Sequence, residues 1–358
     1  MSPRSSLGSV GPGGFAVVRV GEVGRPEPEG IDRLPRGTAV LLTGASGFIG
    51  SQVARRLVYQ GCRVTALVRP GSDPGRLADV ANKIAFVEGD VEDAGFCRGL
   101  VGRVAPEVVL HLAWYLAPGD WADSPRNLDC LAGSLALLQG VAGTGCRRVV
   151  VAGSSVEYDT DLGRVTETSA IRPRTLYGAC KASLFLAGGQ LARRDGWGFA
   201  QARIFNVYGP GEDERRFVPQ VVRGLLRGEP CELTPGDQVR DYLHVEDVAS
   251  ALVALAAGDI EGAVNVASSR PVTIAALART IAGLLGRPDL LRLGARPARP
   301  GEYACLYADT RLLRERAGWS PRYGLDAGLK QTIGWWQDPP HDALRGPTRA
   351  GRVTRPAP

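Results

Sequence analysis

Histidines and closely spaced cysteines are scarce in this sequence, and their scarcity argues against several kinds of site. Only His111, His244 and His341 occur among 358 residues, and the seven cysteines are scattered without a Cys-x-x-Cys pair. Zinc sites need clustered histidine and cysteine ligands, and disulfide scaffolds need patterned cysteines. The sequence therefore predicts neither a metal site nor a disulfide framework, and it favours a reducing, cytoplasmic setting.

The sequence also lacks long hydrophobic runs and a concentrated positive charge. No apolar run approaches the ~20 residues that span a bilayer, and the first residues lack the apolar core of a secretory signal. The net charge is only +6, and the arginines are spread out rather than gathered in a stripe with aromatic partners, as a nucleic-acid surface would require. We therefore predict no membrane segment and no nucleic-acid partner. A phosphate-bearing small substrate accounts better for the arginines.

Length and composition set the scale of the fold. Hydrophobic residues make up 44% and charged residues 22% of the chain, which is typical of a soluble globular protein. The chain has room for one large α/β domain with a smaller appendage, or for two domains. Residues 1–37, rich in glycine, proline and serine, are predicted to be a flexible extension. Residues 338–358, rich in proline and arginine, are predicted to be a disordered tail.

A glycine-rich loop between a strand and a helix is the first motif with a chemical meaning. The apolar run at residues 38–43 leads into Gly44-Ala-Ser-Gly47-Phe-Ile-Gly50, and a helical pattern follows at residues 51–60. Glycines let the backbone approach a pyrophosphate, and the helix N-terminus offers it free N–H groups. The spacing differs from Gly-x-Gly-x-x-Gly, but the order of strand, loop and helix predicts a dinucleotide site.

Strands and helices then alternate along the chain. This alternation predicts an α/β fold with a doubly wound parallel sheet, whose catalytic groups gather at the carboxyl ends of the strands. Strands are predicted at residues 63–68, 84–91, 108–113, 148–152, 200–210 and 263–267, and helices at residues 131–141, 217–226, 249–257, 273–285 and 310–317.

The end of the second strand bears on the choice of cofactor. NAD-binding units place an acidic residue there for the ribose 2′-hydroxyl, whereas here Val68 is followed by Arg69. A cation at this point pairs with a 2′-phosphate, so NADP is favoured over NAD, with Ser72 and Arg76 as candidate helpers. Alternatively, Arg69 only ends the strand in solvent, and NAD stays open.

A tyrosine and a lysine four residues apart form the candidate acid/base pair. Tyr177 and Lys181 lie in a predicted helix at residues 176–191, where this spacing places both on one face. A nearby ammonium favours the phenolate and lowers the pKa of the phenol from its usual value of ~10 toward neutrality. Ser154, after the fifth strand, is placed to hydrogen-bond a substrate oxygen beside the tyrosine. Taken alone, the pair also fits the surface of an amphipathic helix, and Ser154-Ser155 also fits a turn or a helix cap.

Together these motifs resemble the extended short-chain dehydrogenase/reductase family, in the branch that acts on nucleotide sugars. They follow the family's order over most of residues 38–337. The matching stretches are Thr43-Gly-Ala-Ser-Gly-Phe-Ile-Gly50, Asp90-Val91, His111-Leu-Ala113, Ser154, Tyr177-x-x-x-Lys181, Arg203-x-Phe-Asn-Val-Tyr-Gly-Pro210, Arg240-Asp-Tyr-x-His-Val-x-Asp247 and Arg299-Pro-Gly-Glu302.

The resemblance implies a role for each matching residue. Tyr177 is expected to be the acid/base, Lys181 to tune it and hold the nicotinamide ribose, and Ser154 to orient the carbonyl. Besides Arg69, the expected cofactor-binding residues are Gly44, Ser46, Gly47, Phe48, Ile49 and Gly50 at the pyrophosphate, Asp90 and Val91 at the adenine, and Leu112 and Ala113 at the inner ribose.

The substrate side is expected to grip the diphosphate of a sugar nucleotide, for which two arginines and an amide are well suited. Arg240 could instead form a structural salt bridge with Asp241 or Asp247. The expected substrate-binding residues are Ser155, Asn206, Arg240, Arg299 and Glu302, the last near the ribose or base.

Two departures from the family pattern narrow the function. Members that eliminate water carry Asp-Glu directly after the catalytic Ser or Thr, whereas here Ser155 and Val156 follow Ser154, so a dehydratase is disfavoured. Residues 153–158 are instead similar to 4-ketoreductases of deoxysugar pathways. The family's asparagine, which heads an Asn-x-x-Gly-Thr helix, is replaced by Cys130, and a thiol holds water less well than an amide does.

We therefore expect NADPH-dependent reduction of the C4 ketone of a dTDP-linked 4-keto-6-deoxyhexose. A nucleotide-sugar 4-epimerase with tightly bound NAD is the alternative, and a non-catalytic NADP-binding regulator is a third. Trp114 and Tyr115 after the fourth strand would line the sugar pocket or pack in the core. The resemblance also implies a homodimer formed through two helices per subunit.

The resemblance divides the chain into two parts. Residues 38–205, joined by residues 235–265, are expected to form the cofactor-binding domain. Residues 206–234 and 266–337 are expected to form the smaller C-terminal substrate-binding α/β lobe.

Overall fold

The computed structural model describes residues 33–117, 119–298 and 300–338 of the chain. Its elements are β1 (Ala39–Thr43), α1 (Phe48–Tyr59), β2 (Arg63–Val68), β3 (Ile84–Glu88), α2 (Ala94–Val104), β4 (Val108–His111), α3 (Arg126–Gln139), β5 (Arg148–Ser154), β6 (Gly163–Val165), α4 (Leu176–Asp195), β7 (Gly198–Ile204), β8 (Asn206–Tyr208), α5 (Phe217–Leu226), β9 (Cys231–Glu232), β10 (Val239–His244), α6 (Val245–Ala257), β11 (Gly262–Val266), β12 (Pro271–Thr273), α7 (Ile274–Leu284), β13 (Leu291–Arg292), β14 (Cys305–Ala308), α8 (Arg311–Ala317) and α9 (Leu325–Gln337).

A parallel sheet of seven strands forms the centre of the fold, in the order β3-β2-β1-β4-β5-β7-β11. From β1 the chain winds first toward β3 and then, from β4 onward, toward β11. The strand order therefore reverses between β1 and β4, and sheets of this kind bind their ligands at the carboxyl ends of the strands at such a reversal. The predicted doubly wound α/β fold is confirmed.

Both faces of this sheet are buried, which explains why its strands read as nearly unbroken apolar runs. Side chains of neighbouring residues in one strand point to opposite faces. In β1, Val40 and Leu42 therefore join a core with α1 and α6, while Leu41 joins a core with α2, α3 and α4. Helices thus cover the sheet on each side.

A smaller sheet lies beyond the carboxyl end of the large one. Its strands run in the order β12-β10-β14-β6, and β8 pairs with β10. Helices α5, α7 and α9 share a hydrophobic core beside it. The strand predicted at residues 200–210 is in fact two strands, because the chain leaves the large sheet at Phe205 and β8 then pairs in the small one.

Two buried carboxylates hold the C-terminal segments in place. Asp241 accepts hydrogen bonds from the amides of Ser268 and Ser269, at 2.8 and 3.0 Å. Asp247 accepts from the amides of Arg322 and Tyr323, both at 3.0 Å. These two acids therefore anchor backbone and are not available as partners for a neighbouring arginine.

Several predictions cannot be compared with the structure. Most of the flexible extension and the tail, at residues 1–32 and 339–358, lies outside the described residues, and so does Arg299. None of the helices in the described ranges combines the length and apolar character that a membrane span requires.

Candidate active site

The glycine-rich loop turns sharply at the end of β1, across the end of β4. Gly44 has a φ of +75°, and a Cβ added there would lie 2.8 Å from the amide nitrogen of Ala113. A Cβ on Gly50 would lie 2.0 Å from the carbonyl oxygen of Gly44. Only glycine fits these two positions, so α1 starts directly against the loop.

The N-terminus of α1 is open to an anion. Its N-cap, Gly47, contributes no side-chain cap. The amides of Phe48, Ile49 and Gly50 have no hydrogen-bond partner among the described residues. Unpaired amides at a helix N-terminus suit a pyrophosphate. The loop, including Ser46, therefore fits the dinucleotide that the sequence predicts.

Thr43 ties the loop to the end of β4. Its hydroxyl accepts hydrogen bonds from the amides of Leu112 and Ala113, both at 3.1 Å. It also pairs with His111 Nδ1 at 2.8 Å, while His111 Nε2 pairs with Ser134 Oγ at 2.8 Å. Burial, and then the charge of Lys181, lowers the pKa of His111 to about 3. The imidazole is thus a neutral structural link with both nitrogens engaged.

Asp90 and Val91 follow the end of β3, on the same edge of the sheet. The Asp90 carboxylate accepts a hydrogen bond from the amide of Glu92 at 3.1 Å, in a local turn. A Cβ on Gly133 of α3 would lie 1.6 Å from the carbonyl oxygen of Val91. Helix α3 therefore presses directly on the segment that the sequence assigns to the adenine.

The three residues predicted to contact a 2′-phosphate differ in whether their side chains already have protein partners. The side chain of Arg69 is exposed at the end of β2 and has no partner in the described part of the chain. Arg76 instead donates from Nη2 to the carbonyl oxygen of Gly211 at 3.0 Å, which commits it to the segment after β8. The Ser72 hydroxyl is buried and unpaired in the described structure. Of these two guanidinium groups, that of Arg69 is therefore the one without a protein partner in the described ranges.

The structure brings the three predicted catalytic residues together. Ser154 is the last residue of β5, and Tyr177 lies in the first turn of α4. Lys181 follows one turn later and is 2% exposed. Its ammonium donates to the carbonyl oxygen of Ala152 at 2.8 Å. Serine, phenol and ammonium thus meet at the carboxyl end of β5.

The segment before α3 caps helix α4 and encloses the phenol. The amide of Leu176 donates to Asp123 Oδ1 at 3.0 Å, and that of Tyr177 donates to the carbonyl oxygen of Ala122 at 2.8 Å. The rings of Trp121 and Trp114 stand edge-on to the phenol, with centroids 5.0 and 6.2 Å away. Two indoles therefore shield Tyr177 from water.

The protonation of the pair differs from the prediction. Burial raises the pKa of Tyr177 well above its usual value, although the hydrogen-bonding Ser154 hydroxyl acts in the opposite direction. Burial lowers the pKa of Lys181 to about 7, although the Glu157 charge opposes this. The expected net lowering of the phenol pKa is therefore wrong, because burial of the phenol outweighs the groups that favour the phenolate.

A buried ion pair behind Ser154 was not predicted. Glu157 Oε1 accepts from the amide of Ser154 at 2.7 Å, and Oε2 accepts from Arg203 Nε at 2.9 Å. Gln201 donates to both carboxylate oxygens at 2.9 Å. Both charged side chains are almost completely buried. Glu157 and Arg203 lie in the stretches at residues 153–158 and 203–210 that resemble the family. Their opposite charges, each beside the apolar residues of a strand end, were the sequence signal that could have predicted the ion pair.

Two of the predicted substrate residues pair with each other. Arg240 Nη2 lies 3.2 Å from Glu302 Oε1 and donates to the carbonyl oxygen of Tyr303 at 2.8 Å. The alternative salt bridge to Asp241 or Asp247 is therefore wrong, since those acids bind backbone amides.

The remaining substrate candidates lie close to the catalytic strand. Ile204 pairs with Ser154 across β7 and β5, and Asn206 begins β8 two residues later. The Asn206 amide group donates to the carbonyl oxygen of Asp241 at 3.4 Å. Ser155 is buried at the start of the turn after β5.

Comparison with known proteins agrees with this arrangement. Residues 40–267 match the profile of the NAD dependent epimerase/dehydratase family. This match covers more than half of the chain. The chain belongs to the NAD dependent epimerase/dehydratase family.

Relatives within the epimerase/dehydratase family carry out several reactions. A UDP-glucose 4-epimerase of Neisseria gonorrhoeae is 29% identical, over 83% of this chain and 96% of that protein. A dTDP-4-dehydro-6-deoxy-D-allose reductase of a Streptomyces species is 30% identical, over 84% of this chain and 97% of that protein. The solved structure of MoeE5 in complex with UDP-glucuronic acid and NAD is 31% identical, with a TM-score of 0.72 over 84% of this chain and 99% of that one.

Cys130, where the family resemblance led us to expect an asparagine, is a buried residue of α3. Its sulfur is buried on α3 and accepts a hydrogen bond from the amide of Tyr115 at 3.3 Å. Burial raises the pKa of this thiol to about 11, so it is neutral. Cys130 therefore anchors the segment after β4. No group of three or more metal-ligating side chains exists among the described residues.

Proposed function

We propose that this chain uses NADPH to reduce the C4 ketone of a nucleotide-linked 4-keto-6-deoxyhexose. The observation that carries the proposal is the buried Tyr177 phenol beside Ser154, together with Ser155 and Val156 in place of an acid pair after Ser154. A protonated phenol is ready to donate, as reduction of a ketone requires. The Streptomyces relative, named as a reductase of a dTDP-4-dehydro-6-deoxyhexose, supports the same direction.

The residues divide the work of the reaction. When bound, the reduced nicotinamide supplies the hydride for C4. The Ser154 hydroxyl donates a hydrogen bond to the ketone oxygen and stabilises the charge that develops there. Tyr177 transfers its proton to that oxygen, which completes the alcohol and leaves a phenolate. The Lys181 ammonium stabilises the phenolate until a proton returns from solvent.

The preference for NADPH rests on Arg69. Its guanidinium is exposed at the end of β2, where a 2′-phosphate is expected to lie. An NADP that leaves after each turnover suits net reduction, whereas an epimerase keeps NAD and returns its hydride.

Arg69→Ala is expected to raise KM for NADPH about ten- to hundredfold and to leave KM for NADH nearly unchanged. One charge-assisted hydrogen bond is worth about 1.5–3 kcal/mol, and each ~1.4 kcal/mol is tenfold. Steady-state kinetics with both cofactors measure this. Arg76→Ala is the matched control, because its bond to Gly211 predicts equal effects on the two cofactors. Equal effects for Arg69→Ala would remove the argument for NADPH.

The nucleotide is proposed to bind beside the smaller sheet, whose strand β10 carries Arg240. Arg240 is 5% exposed and carries a guanidinium suited to a diphosphate. Asn206 and Arg299 are proposed to assist, with Glu302 near the ribose or base. We further propose dTDP as the nucleotide and a homodimer as the assembly.

A 4-epimerase is the second candidate, and two relatives favour it. The Neisseria protein is named as one, and MoeE5 holds NAD in its solved structure. In that case Tyr177 would first act as a base on the C4 hydroxyl and NAD would stay bound.

One set of assays separates the two functions. Purified protein is mixed with a dTDP-4-keto-6-deoxyhexose and NADPH, and absorbance at the nicotinamide band is followed. Separately, the protein without added cofactor is incubated with UDP-glucose, and any cofactor is released by denaturation and identified. Consumption of NADPH, lost in Ser154→Ala, supports the reductase. UDP-galactose formation with NAD retained, and no NADPH consumption with any ketosugar, would overturn it.

A further inference from the structure

The ammonium of Lys181 rests on the face of an indole. Nζ lies 3.6 Å from the ring centroid of Trp114 and donates to the carbonyl oxygen of Ala152 at 2.8 Å. Burial of an ammonium is costly unless it is compensated. The negative face of an aromatic ring attracts a cation, and most strongly where water is excluded. Trp114 thus supplies a second contact to a cation that is 2% exposed.

The indole is itself held by a buried amide. Trp114 Nε1 donates to Asn127 Oδ1 at 2.8 Å. The Asn127 amide nitrogen donates to the carbonyl oxygens of Trp121 and Ser124, at 2.8 and 2.9 Å. With both ends engaged and the side chain fully buried, Asn127 has one orientation. Helix α3, through Asn127, therefore fixes the orientation of the Trp114 ring under Lys181.

The contact between Lys181 and Trp114 is more important because residue 130 is a cysteine and not the asparagine expected from the family resemblance. A neutral thiol cannot hold a water or an ammonium as an amide would, and its sulfur is occupied by the amide of Tyr115. In the described structure the closest partners of the cation are therefore the Ala152 carbonyl oxygen and the Trp114 ring, while the Tyr177 ring centroid is farther away, at 5.7 Å.

We propose that Trp114 is a positioning residue that keeps Lys181 protonated and in place beside Tyr177, and that Asn127 fixes Trp114 for this task. The proposal deepens the proposed function, because it assumes that the Tyr177–Lys181 pair handles the proton. It holds equally for reduction and for epimerisation, since both use the pair.

Other charged or titratable groups near Lys181 do not replace this contact. Glu157 favours the ammonium from the turn after β5. His111 on β4 is neutral, and the two nearby thiols, Cys130 on α3 and Cys180 on α4, are held neutral by burial. Since burial lowers the pKa of Lys181 to about 7, loss of an attractive contact acts within an accessible pH range.

The first test needs neither cofactor nor substrate. An ammonium against an indole alters its fluorescence, so emission of the full chain is titrated across neutral pH. Wild type should show a step that is absent in Lys181→Met and Trp114→Leu and present in Trp121→Leu. Trp121 is the matched control, because it also stands edge-on to Tyr177 yet has no cation contact in the described structure. A step that survives in Trp114→Leu, or disappears in Trp121→Leu alone, overturns the proposal.

The second test uses the pH dependence of turnover. Trp114→Leu should move the alkaline fall of kcat/KM to lower pH by about half to one pH unit, because the ammonium is lost earlier. Trp114→Phe, which keeps an aromatic face, should reverse most of the shift. Trp121→Leu, which removes no contact to the ammonium, should leave the pH of the alkaline fall unchanged whatever its effect on the turnover rate. Identical profiles for Trp114→Leu and wild type overturn the proposal. Failure of the proposed function would appear differently, as absence of turnover in wild type with the fluorescence step intact.

Discussion

Tyr177→Phe is expected to lower kcat by about 10³-fold, within the range of 10²–10⁴ typical for a general acid. The substitution removes the proton donor and keeps the ring that packs edge-on against Trp114 and Trp121. Cofactor affinity and melting temperature should therefore remain close to wild type. Steady-state kinetics measure the loss of kcat, and titration with NADPH followed by fluorescence measures the cofactor affinity.

Tyr115→Phe is the matched control for the loss of a phenol. Its hydroxyl donates to Asp120 at 2.9 Å near the surface and takes no part in the proposed chemistry. The control should retain activity. If Tyr177→Phe kept kcat within a few-fold of wild type, the phenol would not be the acid. Binding without turnover in wild type would favour the non-catalytic regulator.

Glu157→Ala is expected to destabilise the fold by about 3–5 kcal/mol, because it leaves the Arg203 guanidinium buried without a counter-charge. The two side chains are 0% and 1% exposed and are joined at 2.9 Å. The same change releases the amide of Ser154, so activity should fall as well. Urea unfolding followed by far-UV circular dichroism gives the free energy of unfolding.

Two variants separate the ion pair from simple loss of packing. The double change Glu157→Leu with Arg203→Met removes both charges, and it should cost less than Glu157→Ala alone. Arg227→Ala, which breaks an exposed pair with Glu229, should leave stability nearly unchanged. A loss below about 1 kcal/mol in Glu157→Ala, the size of an ordinary substitution, would contradict the predicted role of the pair.

The large sheet could be predicted because its strands are buried on both faces and therefore read as apolar runs. The break at Phe205 could not, because no glycine or proline interrupts the run from Ala200 to Tyr208 where the chain changes sheets. Which sheet a strand joins depends on a partner elsewhere in the chain. Here that partner is Tyr242, which pairs with Asn206.

The positions of the catalytic residues could be predicted better than their protonation. The order of the motifs along the chain was enough to predict that Ser154, Tyr177 and Lys181 lie together at the end of one strand. The direction of the phenol pKa depends on burial, and Trp121, one of the rings that shield it, lies far away in the sequence. The pairing of Arg240 with Glu302 is similarly long-range, and no local pattern contains it.

The contacts that cap helix α4 bear on attempts to redesign substrate choice. The peptide oxygen of Ala122 and the carboxylate of Asp123 bind the first amides of α4. Grafting the segment before α3 from a relative with another sugar preference would replace these two acceptors together with Trp121, which stands edge-on to the phenol. Loss of turnover in such a chimera could then result from displacement of Tyr177 as well as from failure to bind the sugar. Successful grafts should therefore keep residues 122 and 123 and vary the positions around them.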